Sequence, residues 1–257
     1  MRLDLLLMQR GLAESREKAK RLVAAGAVLV DGTVVQKPAA DIAEDAVLTV
    51  NAADRYVGRG GYKLEGALDR FGIDPTGHSA LDIGASTGGF TDCLLQRGAA
   101  HVTALDAGCG QLHPKLRADA RVTCIEKYNA RELTAADVGQ FDLVVMDVSF
   151  ISATVILPRI PALLRPEGRF VLLIKPQFEA GRAALNKNGV VTKAADRERA
   201  VRRVLDAAAA VSLLCLGLTT SPIAGGDGNA EYLAVFSVRQ GADNTGLSVA
   251  DLFTKGV

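Results

Sequence analysis

Three features of the 257-residue chain predict an α/β fold. From Ser79 onward apolar strand segments alternate with helical ones, as in a parallel sheet covered on both faces. The first of those strands, Leu81-Asp82-Ile83, runs into a glycine turn that opens a helix. The opening residues follow another plan, helices first and short strands after, so a small α+β module precedes the sheet. The expected layout is a module over 1–52, a linker over 53–62 and a Rossmann-like domain of seven mostly parallel strands over 63–257.

In the module, Leu3, Leu5, Leu6 and Leu7 mark a first helix. Ser15 is a plausible N-cap for a second helix over Arg16–Ala25, which Gly26 ends. Val28-Leu29-Val30, the Asp31-Gly32 turn and Thr33-Val34-Val35 read as a hairpin, and Val47–Val50 as a third strand. Arg16, Lys18, Lys20 and Arg21 crowd the second helix with only Glu17 among them, and Arg2 and Arg10 lie ahead of it. Such a row is either a solvated face or a phosphate-binding one. In the linker, three glycines permit the modules to reorient; Arg55 and Arg59 could meet RNA on the way, but a plain flexible joint is the reading the segment favours.

In the larger domain, strands are expected at Leu81–Ile83, Val102–Leu105, Val122–Ile125, Leu143–Met146, Phe170–Ile174, Leu214–Thr219 and Tyr232–Val238, the last antiparallel. Ala195–Val211 reads as a long helix. Ligands of such sheets collect beyond the carboxyl ends of the strands.

Hydrophobic residues make up 49%, enough for one large core or for an α/β domain plus a small module. The net charge of +1 does not advertise a nucleic-acid binder, but neutrality over the whole chain accommodates a local basic face. Cys93, Cys109, Cys124 and Cys215 lack C-x-x-C spacing and read as reduced thiols, so neither a metal site nor a disulfide framework is expected. Asp4 interrupts the apolar start and Arg10 follows soon after, too short a run for a signal peptide. No window approaches the roughly 18 apolar residues of a membrane span. A monomeric cytoplasmic protein with no membrane association is the expectation.

The glycine turn carries the cofactor expectation. A dinucleotide loop reads G-x-G-x-x-G, whereas here Ala85, Ser86 and Thr87 separate Gly84 from Gly88 and Gly89, with Phe90 following. Asp82 lies just ahead, and the ammonium of a methionine-type ligand wants a carboxylate. S-adenosylmethionine is therefore favoured over a dinucleotide. Asp106 closes the next strand at a spacing suited to ribose hydroxyls, which fits either cofactor. Tyr128-Asn129-Ala130 could flank the adenine, and a helix-start turn explains it almost as well.

Two further strand ends hold charges. Asp147 follows Leu143–Met146, and Lys175 follows Phe170–Ile174, with Pro176 stopping the strand. A lysine beside apolar strands is costly unless paired or snorkelling to water, so its position invites a chemical role. A base for a ribose hydroxyl must be substantially neutral near pH 7, well below the ~10.4 of a free lysine. A second nearby cation, for which Lys63 is a candidate, favours that state. No Asn-Pro-Pro-Tyr run follows the Asp147 strand, which disfavours methylation of an amino group.

The run "RLDLLL...GLAESREKAKRLVAAGAVLVDGTVV" resembles the S4 RNA-binding module, a resemblance that implies a basic helix and hairpin laid on structured RNA. Lys63, Asp147 in "VVMDVSF", Lys175 in "LLIKPQFE" and Glu231 in "GNAEYL" resemble the Lys-Asp-Lys-Glu tetrad of FtsJ/RrmJ-type ribose 2′-O-methyltransferases. With "RGGYKL" and "DIGASTGGFTDCLL", nearly the whole chain is similar to the TlyA family, often labelled hemolysin A.

The resemblance implies methylation of cytidine 2′-hydroxyls in ribosomal RNA, 16S, 23S or both, within the small subunit, the large subunit or both. Lys175 would be the base, Lys63 and Asp147 would tune and hold it, and Glu231 would orient the lysines or the ribose. The ribose oxygen would attack the methyl in line, without a metal, because the leaving group departs as a neutral thioether. Some members carry a tryptophan where this chain has Arg55-Tyr56-Val57, so any aromatic role there passes to Tyr56. A non-catalytic S4-type RNA-binding factor would leave the glycine loop and tetrad unexplained, and a pseudouridine synthase needs no such loop. A pore-forming hemolysin needs a membrane segment that the sequence does not offer.

Overall fold

The computed structural model describes residues 1–13, 15–24, 26–50, 55–238 and 253. Ala25, Ala53 and Asp54, expected in the second helix and the linker, lie outside the described residues. The chain divides into two compact units, Met1–Arg55 and Tyr56–Val257.

The first unit contains α1 (Leu3–Gln9) and α2 (Arg16–Ala24), then β1 (Val28–Val30), β2 (Thr33–Val34) and β3 (Leu48–Val50) in the antiparallel order β2-β1-β3. Ser15 caps α2, its Oγ accepting the Lys18 amide at 3.2 Å. Asp31 and Gly32 both take positive φ, which the twist of a two-residue hairpin requires. Leu3, Leu7, Ala19, Leu22, Val23 and Val28 form the core.

A buried carboxylate ties this core to its surface. Asp4 is fully buried, and accepts hydrogen bonds from Arg2 at 2.9 and 3.0 Å and from Arg16 at 3.0 Å. The Arg2 guanidinium, then Arg16, holds the Asp4 carboxyl down at about 2, against the desolvation that opposes it. Arg10 donates to the Ala46 carbonyl at 2.7 Å and to that of Glu44. Three of the cations expected to face RNA thus also hold this unit together.

The second unit is a sheet of seven strands: β4 (Ser79–Ile83), β5 (His101–Leu105), β6 (Val122–Ile125), β7 (Phe141–Met146), β8 (Leu164–Ile174), β9 (Leu213–Thr220) and β10 (Tyr232–Val238). Their order is β6-β5-β4-β7-β8-β10-β9, and β10 alone runs opposite to the other six. The helices are α3 (Gly60–Phe71), α4 (Gly89–Gln96), α5 (Pro114–Arg117), α6 (Ala135–Val138), α7 (Ile160–Leu163), α8 (Pro176–Glu179) and α9 (Ala194–Ala210). Strand alternation divides the core into two layers. Leu143, Val145, Val171, Leu173 and Leu233 meet α3 and α4, while Val144, Met146, Phe170, Leu172 and Ile174 meet α7 and α9.

The flexible joint expected over 53–62 is not one from Tyr56 onward. Tyr56 is fully buried and meets Tyr62 edge to face at 5.2 Å, and the Val57 amide donates to Asp92 Oδ2 at 2.8 Å. Gly60, Gly61 and Tyr62 form the first turn of α3. The glycines permit close approach rather than motion: a Cβ on Gly89 would sit 3.0 Å from the Gly61 nitrogen and 3.2 Å from the Gly58 oxygen.

Among the described residues no helix is long and apolar enough to cross a membrane, and no group of His, Cys, Asp and Glu is arranged to hold a metal ion. Asp4→Ala should destabilise the first unit by roughly 1–3 kcal/mol, the range for a hydrogen-bonded charge whose half-exposed partners return to water. A carboxyl held below its unfolded value contributes stability above the ordinary carboxylate range and loses it as pH falls toward 2. Urea titrations at pH 7 and pH 3 should therefore show a smaller gap between wild type and variant at pH 3, and equal gaps would refute this account.

Candidate active site

Strand register gathers the charged residues. Ile83 lies beside Met146 in the parallel pair β4 and β7, so Gly84 and Asp147 leave the sheet side by side. A Cβ on Gly84 would come within 2.5 Å of the Asp147 carbonyl oxygen, and the residue also takes a φ of +86°, so only glycine fits. Because β10 runs the other way, Tyr232 pairs with Ile174 and its leading residue, Glu231, falls opposite Lys175. A sheet edge that would otherwise carry only strand ends thus also receives a strand start.

Lys175 is flanked on two sides. Its Nζ lies 2.6 Å from Asp147 Oδ1 and donates to Ser149 Oγ at 2.8 Å, with 11% of the side chain exposed. Lys63, one turn into α3, meets Glu231 Oε2 at 2.5 Å with both side chains buried. Glu231 points toward α3 because Leu233, two residues on along the strand, also faces that layer. The four residues therefore form two ion pairs, Lys175 with Asp147 and Lys63 with Glu231.

A cleft of about 240 Å³ opens beside Lys175. Of the residues expected at the cofactor, Gly84, Ala85, Ser86, Thr87, Gly89, Phe90 and Asp147 line it, joined by Gly60, Ser149 and Lys175. Gly88 caps α4 with a φ of +94°. Asp106 accepts backbone N–H groups from Ser86 at 2.8 Å and Gly108 at 2.7 Å, tying the glycine loop to the end of β5. Like Asp106, Asn129 and Ala130 lie outside the lining of the cleft. Asn129 accepts the Arg131 amide and starts the short 3-10 turn Ala130–Glu132, the helix-start alternative weighed for this segment.

Asp82 lies beneath the loop rather than in the cleft. It is fully buried on the α4 side, where its Oδ2 accepts the Thr91 amide at 3.0 Å and the Thr91 hydroxyl at 2.6 Å. Its Oδ1 is buried without a hydrogen-bond partner. Burial pushes its carboxyl up to about 7, the Thr91 bonds work against that, and Asp147 and Asp106 raise it further.

The basic residues separate by environment. Arg2, Arg10 and Arg16 are engaged as described, Lys20 pairs with Glu17 at 2.8 Å, and Arg59 donates to the Ala224 carbonyl at 2.7 Å. Arg21 and Arg55 are exposed and Lys18 is half-buried.

Sequence reasoning assigned no role to Ser149, Phe150, Asp92 or Glu179. The first two could have been found, since they follow Asp147 within the same strand-end run. Asp92 and Glu179 could not, because their partners, Val57 and the Ser152-Ala153 turn, are distant in sequence.

The sheet order, the glycine cleft at the strand ends and the paired charges beside it define a methyltransferase of the Rossmann-like class. Residues 56–237 match the FtsJ-like methyltransferase family and residues 1–48 the S4 domain. The chain is 44% identical over 234 residues to the 16S/23S rRNA (cytidine-2′-O)-methyltransferase TlyA of Mycobacterium tuberculosis, covering 90% of this chain and 87% of that protein. It is 42% identical over 240 residues to Hemolysin A of Brachyspira hyodysenteriae, covering 93% and 100%. A solved structure described as a hemolysin, from Streptococcus thermophilus, superposes with a TM-score of 0.77 at 41% identity, covering 99% of this chain and 94% of that one. The chain belongs to the TlyA, or hemolysin A, family: an FtsJ-like methyltransferase preceded by an S4 domain.

Asp82→Asn keeps an acceptor for Thr91 and removes the ionisation. A carboxyl raised above its unfolded value favours folding while protonated, so wild-type stability should fall as pH rises from about 4 to about 7. Thermal unfolding between pH 5 and pH 8 should show the variant gaining on wild type as pH rises, by up to a few kcal/mol at ~1.4 kcal/mol per pH unit. A difference independent of pH would disprove the assignment.

Proposed function

We propose that this protein transfers a methyl group from S-adenosylmethionine to the 2′-hydroxyl of a cytidine in ribosomal RNA, with Lys175 as the general base. One observation carries the reading: a largely buried lysine, flanked by Asp147 and Ser149, on the wall of the glycine-loop cleft. The names of relatives that act on ribosomal RNA at cytidine 2′-oxygens supply the substrate.

The cleft fits the cofactor. The loop residues Gly84, Ala85, Ser86, Thr87 and Gly89 line it, and Asp106, anchored by Ser86 and Gly108, stands at the end of β5, where ribose hydroxyls need an acceptor. Asp82, with an unpartnered oxygen beneath the loop, is the nearby acid for an ammonium group. When bound, S-adenosylmethionine supplies an electrophilic methyl on a sulfonium.

The protein's own residues then have distinct work. Lys175 takes the 2′-hydroxyl proton as the oxygen–carbon bond forms and the carbon–sulfur bond of the donor breaks. Asp147, 2.6 Å from its Nζ, stabilises the ammonium so produced, and Ser149 fixes the direction of the amine. The buried Lys63–Glu231 pair is absent from the cleft lining and acts on the site through the strand register that sets Glu231 opposite Lys175. Positioning and one proton transfer carry the reaction.

Phe150 follows Ser149 and is 92% exposed, in a left-handed conformation with φ of +64°, and its ring meets Phe178 at 5.4 Å. An exposed aromatic held in a disfavoured backbone state suits a stacking surface for the target base, worth ~1–3 kcal/mol. In the S4 domain, Lys18, Lys20 and Arg21 on α2, with Arg2, Arg10 and Arg16 around them, meet phosphates and position the RNA. Arg55 and Arg59 extend the set.

Lys175→Ala should abolish labelled-methyl transfer to unmethylated ribosomal subunits while calorimetry still reports cofactor binding. Turnover near that of wild type would exclude Lys175 as the base. Phe150→Ala should raise the KM for the subunits by about tenfold, the factor corresponding to ~1.4 kcal/mol of lost stacking, with cofactor affinity intact. An unchanged KM would remove Phe150 from RNA recognition.

A further inference from the structure

Glu179 is a buried acid that the reaction does not use. It ends α8, the single turn that follows Lys175, and only 3% of it is exposed. A carboxylate placed there without partners would be strongly unfavourable, and both of its oxygens are satisfied. Oε2 accepts from Ser152 Oγ at 2.5 Å and Oε1 from the Ala153 amide at 2.7 Å. Its carbonyl accepts from Arg203 of α9 at 3.0 Å, which holds the turn against the body of the unit.

These contacts continue a series. The segment leaving β8 and the segment leaving β7 are linked at three successive points: Lys175 with Asp147 and Ser149, Phe178 with Phe150, and Glu179 with Ser152 and Ala153. The first link holds the amine and the second holds the exposed ring. The third touches neither substrate nor cleft, and Glu179 is absent from the cleft wall. It closes the loop whose middle residue, Phe150, sits in a backbone state that surrounding contacts must enforce.

We propose that Glu179 is a positioning residue for methyl transfer. By holding Ser152 and Ala153 it keeps Ser149 and Phe150 where the Lys175 amine and the target nucleotide meet. The inference rests on the reading of this site as a ribose methyltransferase. It concerns a residue that acts through the loop, so its signature is a loss confined to the RNA side of the reaction.

Glutamine at this position can reproduce the geometry: the amide oxygen accepts from Ala153, the amide nitrogen donates to Ser152 Oγ, and Ser152 turns its proton to Thr154 Oγ1, 2.7 Å away. Alanine cannot. The test measures methyl transfer to unmethylated bacterial ribosomal subunits, with S-adenosylmethionine affinity read separately by calorimetry. E179A should lower kcat/KM for the subunits at least tenfold with cofactor Kd within twofold of wild type, and E179Q should stay within about threefold of wild type in both. E179A combined with F150A should be little worse than the poorer single variant, because both act through one loop.

A parallel loss of cofactor affinity in E179A, failure of E179Q to restore turnover, or multiplicative losses in the double variant would each overturn the proposal. If E179A does not fold, S152A removes one of the same bonds and should show the same selective loss in smaller degree, and a loss of cofactor binding there overturns it. Absence of ribose methylation by the wild-type protein would overturn the underlying reading and is seen before any variant is compared.

Discussion

The reversed direction of β10 is the constraint on which the site depends. Parallel strands deliver only their carboxyl ends to the ligand-binding edge, which here supplies Gly84, Asp147 and Lys175. Insertion of one antiparallel strand between β8 and β9 delivers a strand's start to the same edge. Glu231 arrives opposite Lys175, and the two-residue alternation of β10 turns it toward α3, where Lys63 waits. Two lysines and two acids from four separate elements are thereby held as ion pairs at the edge of one sheet.

Burial then distributes those charges by function. A paired charge inside a protein is tolerated when its geometry is good and its remaining lone pairs are occupied, and the cost of a lost partner is high. Lys63 and Glu231 sit deepest and neutralise one another, whereas Lys175 keeps part of its surface at the cleft. Asp82 shows the opposite case. Burial first, and then the nearby Asp147 and Asp106 carboxylates, push its carboxyl toward neutrality, and it holds the start of α4 through Thr91.

Much of this was legible in the residues. The strand runs, the antiparallel last strand, the Asp31-Gly32 hairpin, the Ser15 cap and the strand-end positions of Asp147 and Lys175 all follow from local pattern, because alternation, turn chemistry and capping act over a few residues. Glycine is ambiguous at that range. Gly58, Gly60 and Gly61 read as a flexible joint, yet they serve close backbone packing against Gly89, and nothing local distinguishes freedom from fit. The basic residues of the S4 domain were ambiguous in the same way: Arg2 and Arg16 look like a phosphate-binding face, but the buried carboxylate they clamp lies in α1. Glu179 carried no signal, since its partners lie 26 and 27 residues away.

What the sequence determined by itself was therefore the inventory: a small helix-and-hairpin module, an α/β sheet, a glycine loop at a strand end, and lysines and acids at particular strand ends. Periodicity and turn chemistry are short-range, and they suffice to set elements and their boundaries. The tertiary structure decided which charge meets which. It paired Lys175 with Asp147 and Lys63 with Glu231, sank Asp82 beneath the loop, and fastened the Phe150 loop through Glu179. Those outcomes depend on strand order, register and burial, which couple residues far apart in the chain and exist only once the sheet has formed.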